Sequence, residues 1–207
     1  MWVIYWGWKI MGGKDYMPTG LGGWGKGDFS LSLVNIEYHK QTEGFREYCV
    51  ITMGYHVGSI VMHFAGARKS DFLEMTLHHL IALYMYSGCF LCNFWECGGV
   101  IMYLHDIADA SGNFVKGSGE TPYGIVSGVT MIGHMYLWAY TRMWVLPNLI
   151  YQIAIHGDNY GDHPYVNPKW IFCYLLSCMV LLHTFWFHIF CKMLYNYAFK
   201  GKRDDIQ

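Results

Sequence analysis

From about Tyr48 onward the chain returns repeatedly to predominantly apolar runs long enough to cross a lipid bilayer, separated by short polar stretches. A spanning helix needs about 20 such residues, and backbone in hydrocarbon must satisfy its own hydrogen bonds, which leaves helices or closed barrels. The runs cover about 48–64, 71–93, 95–110 and 170–197. Another begins after Pro122, a residue suited to a first helical turn, and reaches Met143, continuing past a kink at Pro147 to Ile155. Ser70 or Asp71 is placed to cap the third segment, and "SGN" at 111–113 is expected to break the fourth. Residues 1–11 read as a half-length stub of membrane helix rather than a secretory leader.

The expected organisation is a truncated first helix at 1–11, an extramembrane loop at 12–44, a membrane core at 45–199 and a polar tail at 200–207. Composition agrees with a lipid-solvated chain: 14% of residues are charged and 18% aromatic, against about 25% charged in soluble domains. A formal net charge of −1 offers no basic face, so nucleic acid is not expected as a partner. Arg68, Lys69, Lys116, Lys200, Lys202 and Arg203 fall on one side of the alternating spans, which directs the carboxy terminus to the cytosol or matrix. The seven cysteines lie in or beside apolar runs and read as small buried thiols, including the Cys89/Cys92 pair.

Costly polar groups interrupt this pattern. "DFLEMTLHHLIALY" carries His78 and His79, and "LHDIAD" in the next span carries His105, Asp106 and Asp109. His78 lies seven residues inside its helix, roughly 10 Å, and His105 about eight residues, roughly 12 Å, from an exit near Asn113. Antiparallel helices thus bring them to nearly one depth. Asp109 follows His105 by four residues on the same face. Neighbouring side chains diverge by about 100°, so only one of His78 and His79 points squarely into a shared cavity. Ionisable groups inside a membrane face bundle interiors or cavities. His56, His63, His134 and His188 read individually as structural. Repeated H-x-x-H boxes of the membrane di-iron kind are absent from the sequence, and no metal is expected.

"RKSDFLEMTLHHLIAL" followed by "GGVIMYLHDIAD" resembles the Lag motif of ceramide synthases, within the TLC-domain membrane family. "AYTRMWVLPNLIY", with Arg142 and Pro147, and "VLLHTFWF", with His183 and Trp186, resemble the family's last two helices. The resemblance implies an all-α integral membrane fold, a TLC-type barrel of about six transmembrane helices around a cavity, here with the first helix truncated. It implies transfer of an acyl group from acyl-CoA, as co-substrate, to the amine of a sphingoid base, a sphingosine N-acyltransferase of the ceramide synthase type, with no other cofactor. It implies catalytic roles for His78, His79, His105, Asp106 and Asp109. His78 or His79 would be the nucleophile, and His105 with Asp109 would provide acid/base and orienting groups. Arg142, His183 and Trp186 would support the cavity.

A second reading follows from the short amino-terminal stub and the abundance of Trp and Tyr. In it the chain is a TLC-fold accessory subunit of a larger organellar membrane complex, such as a mitochondrial respiratory one, holding lipid, with a protein partner completing the first helix. The endoplasmic reticulum and the mitochondrial inner membrane are the two locations expected.

Overall fold

Asn93, at φ 60°, is the one non-glycine residue in the left-handed region among the described residues. It lies in the three-residue turn between two helices that pack against each other; asparagine tolerates this backbone better than most side chains. Gly44, at φ 79°, similarly directs the chain into the next long helix. The computed structural model describes residues 2–21, 27–33, 42–68, 70–119, 124–158 and 168–200. Its elements are α1 (Trp2–Met11), α2 (Phe45–Ala65), α3 (Phe72–Leu91), α4 (Trp95–Gly119), α5 (Gly124–Trp138), α6 (Leu146–His156) and α7 (Lys169–Lys200). Two short 3-10 turns, Thr19–Leu21 and Phe29–Leu33, precede α2, and a π-helical stretch, Ala139–Val145, joins α5 to α6. No strand occurs among the described residues.

Helix α4 is the axis of the bundle. Every residue from Cys97 to Asp106 is buried, and α1, α2, α3, α5 and the π-helical stretch all pack against it. Glycines permit the closest approaches: a Cβ at Gly99 would stand 2.6 Å from Met11 Sδ and 2.8 Å from Phe45 Cε2. Helix α7 closes the other side against α3, α5 and α6. Of the described residues before α2, Met17, Leu21, Phe29 and Leu33 are buried in the main core, and the Phe29–Leu33 turn packs on α4 and α6. Lys14 Nζ donates to Glu96 Oε1 at 3.0 Å, and the Tyr16 hydroxyl donates to Glu96 Oε2.

The polarity is that of a chain solvated by lipid. Large apolar side chains line the outer faces, among them Val61, Leu73, Ile125, Val129 and Leu181. Arg142 and five of the six histidines on α2, α3, α4 and α7 that come near one another, His56, His78, His79, His105 and His183, are buried. Helix α7 is long and apolar enough to cross a membrane, over Lys169–Phe199.

Several local expectations change. The break expected at 111–113 does not occur, and α4 runs through it to Gly119. Ser111 donates back to the Ala108 carbonyl at 2.7 Å and shares a 2.7 Å hydrogen bond with His134 Nδ1 on α5. Val115 and Ser118 are buried beyond it. Packing against α5 thus outweighs the weak helix propensity of Gly112 and Asn113. Asp71 precedes α3 without a side-chain capping bond. Its Oδ2 instead accepts from Trp186 Nε1 of α7 at 3.2 Å. The irregularity expected at Pro147 lies one turn earlier, in the π-helical stretch, while Pro147 sits in the first turn of α6, where a missing N–H costs little. Pro122, Lys69 and the tail from 201 onward lie outside the described residues.

A buried histidine and arginine cluster as the candidate active site

His78 and His79 leave α3 in different directions, as their helical spacing requires. His78 points toward α4 and α7. Its ring lies 6.0 Å from that of His105, nearly parallel at 28°, 5.7 Å from His183 and 5.4 Å from Trp186. His105 and His183 are themselves 5.4 Å apart. Three imidazoles from three helices therefore form one triangle. His79 points instead to α2, with its ring 5.9 Å from His56 and 6.2 Å from His63.

Arg142 organises the triangle from the π-helical stretch. It is completely buried. Nη2 donates to Asp109 Oδ1 and to the His105 carbonyl, each at 3.1 Å, and Nη1 donates to His183 Nε2 at 3.0 Å. The guanidinium also lies 5.1 Å from the centre of the Trp138 ring, and Trp138 Nε1 donates to the His183 carbonyl at 3.2 Å. One buried cation so ties α4, α5 and α7 together, with its planar fork matched to acceptors on different helices.

These contacts determine tautomers. A carbonyl only accepts, so His105 Nδ1, 2.7 Å from the Ile101 carbonyl, carries the proton and leaves the lone pair on Nε2. Arginine only donates, so His183 Nε2 bears a lone pair and its proton sits on Nδ1. His105 Nε2, His78 Nδ1, His183 Nδ1 and Arg142 Nε are buried without a hydrogen-bond partner among the described residues. Buried polar atoms are normally paired, and these four unpaired ones fall in one cluster.

The residues singled out from sequence separate into two sets. His78, His105, Asp109, Arg142, His183 and Trp186 converge. The orienting role expected of Asp109 toward His105 belongs to the Ile101 carbonyl, because Arg142 takes the carboxylate. Asp106, next to His105 on the helix, faces α2, where its Oδ2 accepts from the Tyr48 hydroxyl at 2.5 Å. His79 is with that second set. So is His56, read from sequence as a lone structural histidine, although its ring stands 5.0 Å from Tyr86 and both its nitrogens are unpartnered among the described residues. The four-residue spacing of Tyr48, Thr52 and His56 was the signal that could have revealed it. No group of three or more His, Cys, Asp or Glu arranged to hold a metal occurs among the described residues.

A helical bundle with an apolar exterior and an imidazole cluster within matches one family across most of its length. The TLC-domain family, TRAM_LAG1_CLN8, matches residues 3–192, and the chain belongs to it. Among curated proteins it is 23% identical to ceramide synthase 4 of Mus musculus over 179 residues, covering 86% of this chain and 45% of that protein. It is 24% identical to ceramide synthase hyl-2 of Caenorhabditis elegans over 184 residues, covering 84% and 56% respectively. It is 26% identical to ceramide synthase 1 LOH3 of Arabidopsis thaliana over 149 residues, covering 68% and 48%. The chain spans about half the length of the curated relatives it matches.

Proposed function

We propose that this chain is a ceramide-synthase-like N-acyltransferase, moving a fatty acyl group from acyl-CoA to the amine of a sphingoid base. The observation that carries the reading is the triangle of His78, His105 and His183 around the fully buried Arg142, with free ring nitrogens on all three imidazoles. The relatives named ceramide synthases supply the substrate class. Six membrane segments would make up the barrel, with α5, the π-helical stretch and α6 counting as one.

In this reading His78 is the nucleophile. A lone pair of its imidazole attacks the thioester carbonyl, the carbon–sulfur bond breaks, and the departing thiolate takes the proton that the acylated ring releases. His105 Nε2, whose lone pair is assured by the Ile101 carbonyl, removes a proton from the ammonium of the base. The free amine attacks the acyl-imidazole. The new carbon–nitrogen bond forms as the bond to His78 breaks, and the surplus amine proton returns to the His78 ring. His105 then releases its proton to solvent. The products are amide, thiol and one proton. Arg142 and Asp109 hold His183 and the His105 backbone in place throughout.

Purified protein in lipid nanodiscs, given acyl-CoA and sphinganine, tests the reading by mass spectrometry of the product. Turnover that disappears in a His78→Ala/His79→Ala variant is expected. Absence of turnover in the unaltered protein overturns the proposal.

A further inference from the structure

We propose that the seam between α2 and α3 is a second polar subsite, one that holds the hydroxyl-bearing head of the amine substrate; this rests on the acyltransferase reading above.

Thr52 and His56 lie four residues apart on one face of α2, and His79 and Tyr86 lie seven apart on the facing side of α3. All four are buried, three of them to 1% exposure. Thr52 Oγ1, both nitrogens of His56, His79 Nδ1 and the Tyr86 hydroxyl have no hydrogen-bond partner among the described residues. Five such atoms in one seam is far from ordinary, because each buried unpaired group costs on the order of 1–3 kcal/mol. Thr52 is the telling member. A threonine or serine in a helix readily donates to the carbonyl four residues back, as Thr76, Ser87, Thr141, Ser177 and Thr184 do here. Thr52 leaves that bond unmade.

The polar groups flanking the seam are already paired. Four residues before Thr52, Tyr48 is committed to Asp106. Seven residues after His56, His63 donates from Nε2 to the Phe72 carbonyl at 3.0 Å. Between these two residues the unpaired groups of α2 and α3 are hydroxyls and imidazoles, the unpaired Arg142 Nε belonging to the neighbouring imidazole triangle. A phosphate or carboxylate would find no countercharge there. Uncharged hydroxyls, able both to donate and to accept, match the set group for group. The ring of His56 is 5.0 Å from Tyr86 and 5.9 Å from His79, a spacing that suits two hydroxyls on one short head group. Tyr86 also stands 6.3 Å from His105. A head group seated in the seam therefore lies next to the imidazoles that would perform acyl transfer, with its amine within their reach.

The test is binding of radiolabelled sphinganine to the full chain in nanodiscs, with 1-deoxysphinganine, which lacks one hydroxyl, as competitor. The comparison variant is Thr52→Val/Tyr86→Phe, which removes two oxygens and keeps side-chain volume, and its thermal midpoint confirms folding. The unaltered protein is expected to prefer sphinganine about tenfold, the worth of one hydrogen bond to a buried partner. In the variant the preference should shrink to within about twofold while binding of 1-deoxysphinganine is retained. If the unaltered protein binds both bases equally or neither, or if the variant keeps the full preference, the seam holds water only and the inference is overturned. Acyl transfer to sphinganine without this discrimination defeats the subsite and leaves the acyltransferase reading standing. Discrimination in binding without transfer does the reverse.

Discussion

Arg142 donates to Nε2 of His183 at 3.0 Å, joining the π-helical stretch to the middle of α7 across forty-one positions of sequence. Both side chains are at 0% exposure. A buried guanidinium requires compensation, and its one carboxylate partner among the described residues is Asp109.

Removing that carboxylate should therefore destabilise the bundle even without loss of volume. Asp109→Asn is expected to lower unfolding free energy by about 3 kcal/mol. Adding Arg142→Met should recover part of the loss, with a coupling of about 1–3 kcal/mol. Unfolding of the purified protein in mixed micelles, followed by circular dichroism, measures both. Strictly additive losses would contradict the ion pair.

His105 has a lone pair aimed away from its backbone anchor and no partner for it among the described residues. Under the proposed acyltransferase function, His105→Gln should lower kcat by about 100-fold or more, the usual scale for a lost proton acceptor. KM for acyl-CoA should change little. A variant with unchanged kcat and raised KM would move His105 from chemistry to binding.

Tyr48 supplies the hydrogen bond that holds Asp106 on the α2 side. Tyr48→Phe strips a buried carboxyl of that donor and is expected to cost about 2 kcal/mol of stability. Thermal unfolding with and without the substitution reads it. An unchanged midpoint would mean that Asp106 has another source of compensation.

Two glycines of α4 should respond to alanine with opposite signs. At Gly112 a Cβ would meet His134 Cε1 at 3.5 Å, an ordinary contact, so Gly112→Ala should stabilise by about 0.5–1 kcal/mol through helix propensity. At Gly99 it would press on Met11 and Phe45 at under 3 Å, so Gly99→Ala should destabilise by about 1–3 kcal/mol. The same unfolding measurement on both variants tests the pair.

Most of what was legible in the chain is periodic and local. Apolar run length placed α2, α3, α4 and α7, with differences mainly at their ends. Helical spacing alone separated His78 from His79 and set Asp109 beneath His105, because side-chain direction in a helix is fixed by geometry within a turn. What lay beyond it depends on partners far away in sequence. The "SGN" stretch breaks a helix only when nothing packs on it, and α5 supplies Met131 and His134 as neighbours. Asp109 looked like the companion of His105 until Arg142 arrived from another helix and took it. His56 looked solitary because His79 and Tyr86 lie on a different segment. By itself, then, the sequence determined where the helices run, apart from their ends, and that His78 and His79 leave α3 in different directions. Only the tertiary structure decided which of the costly groups meet, since pairing is settled by side chains that long-range packing brings within a few ångströms.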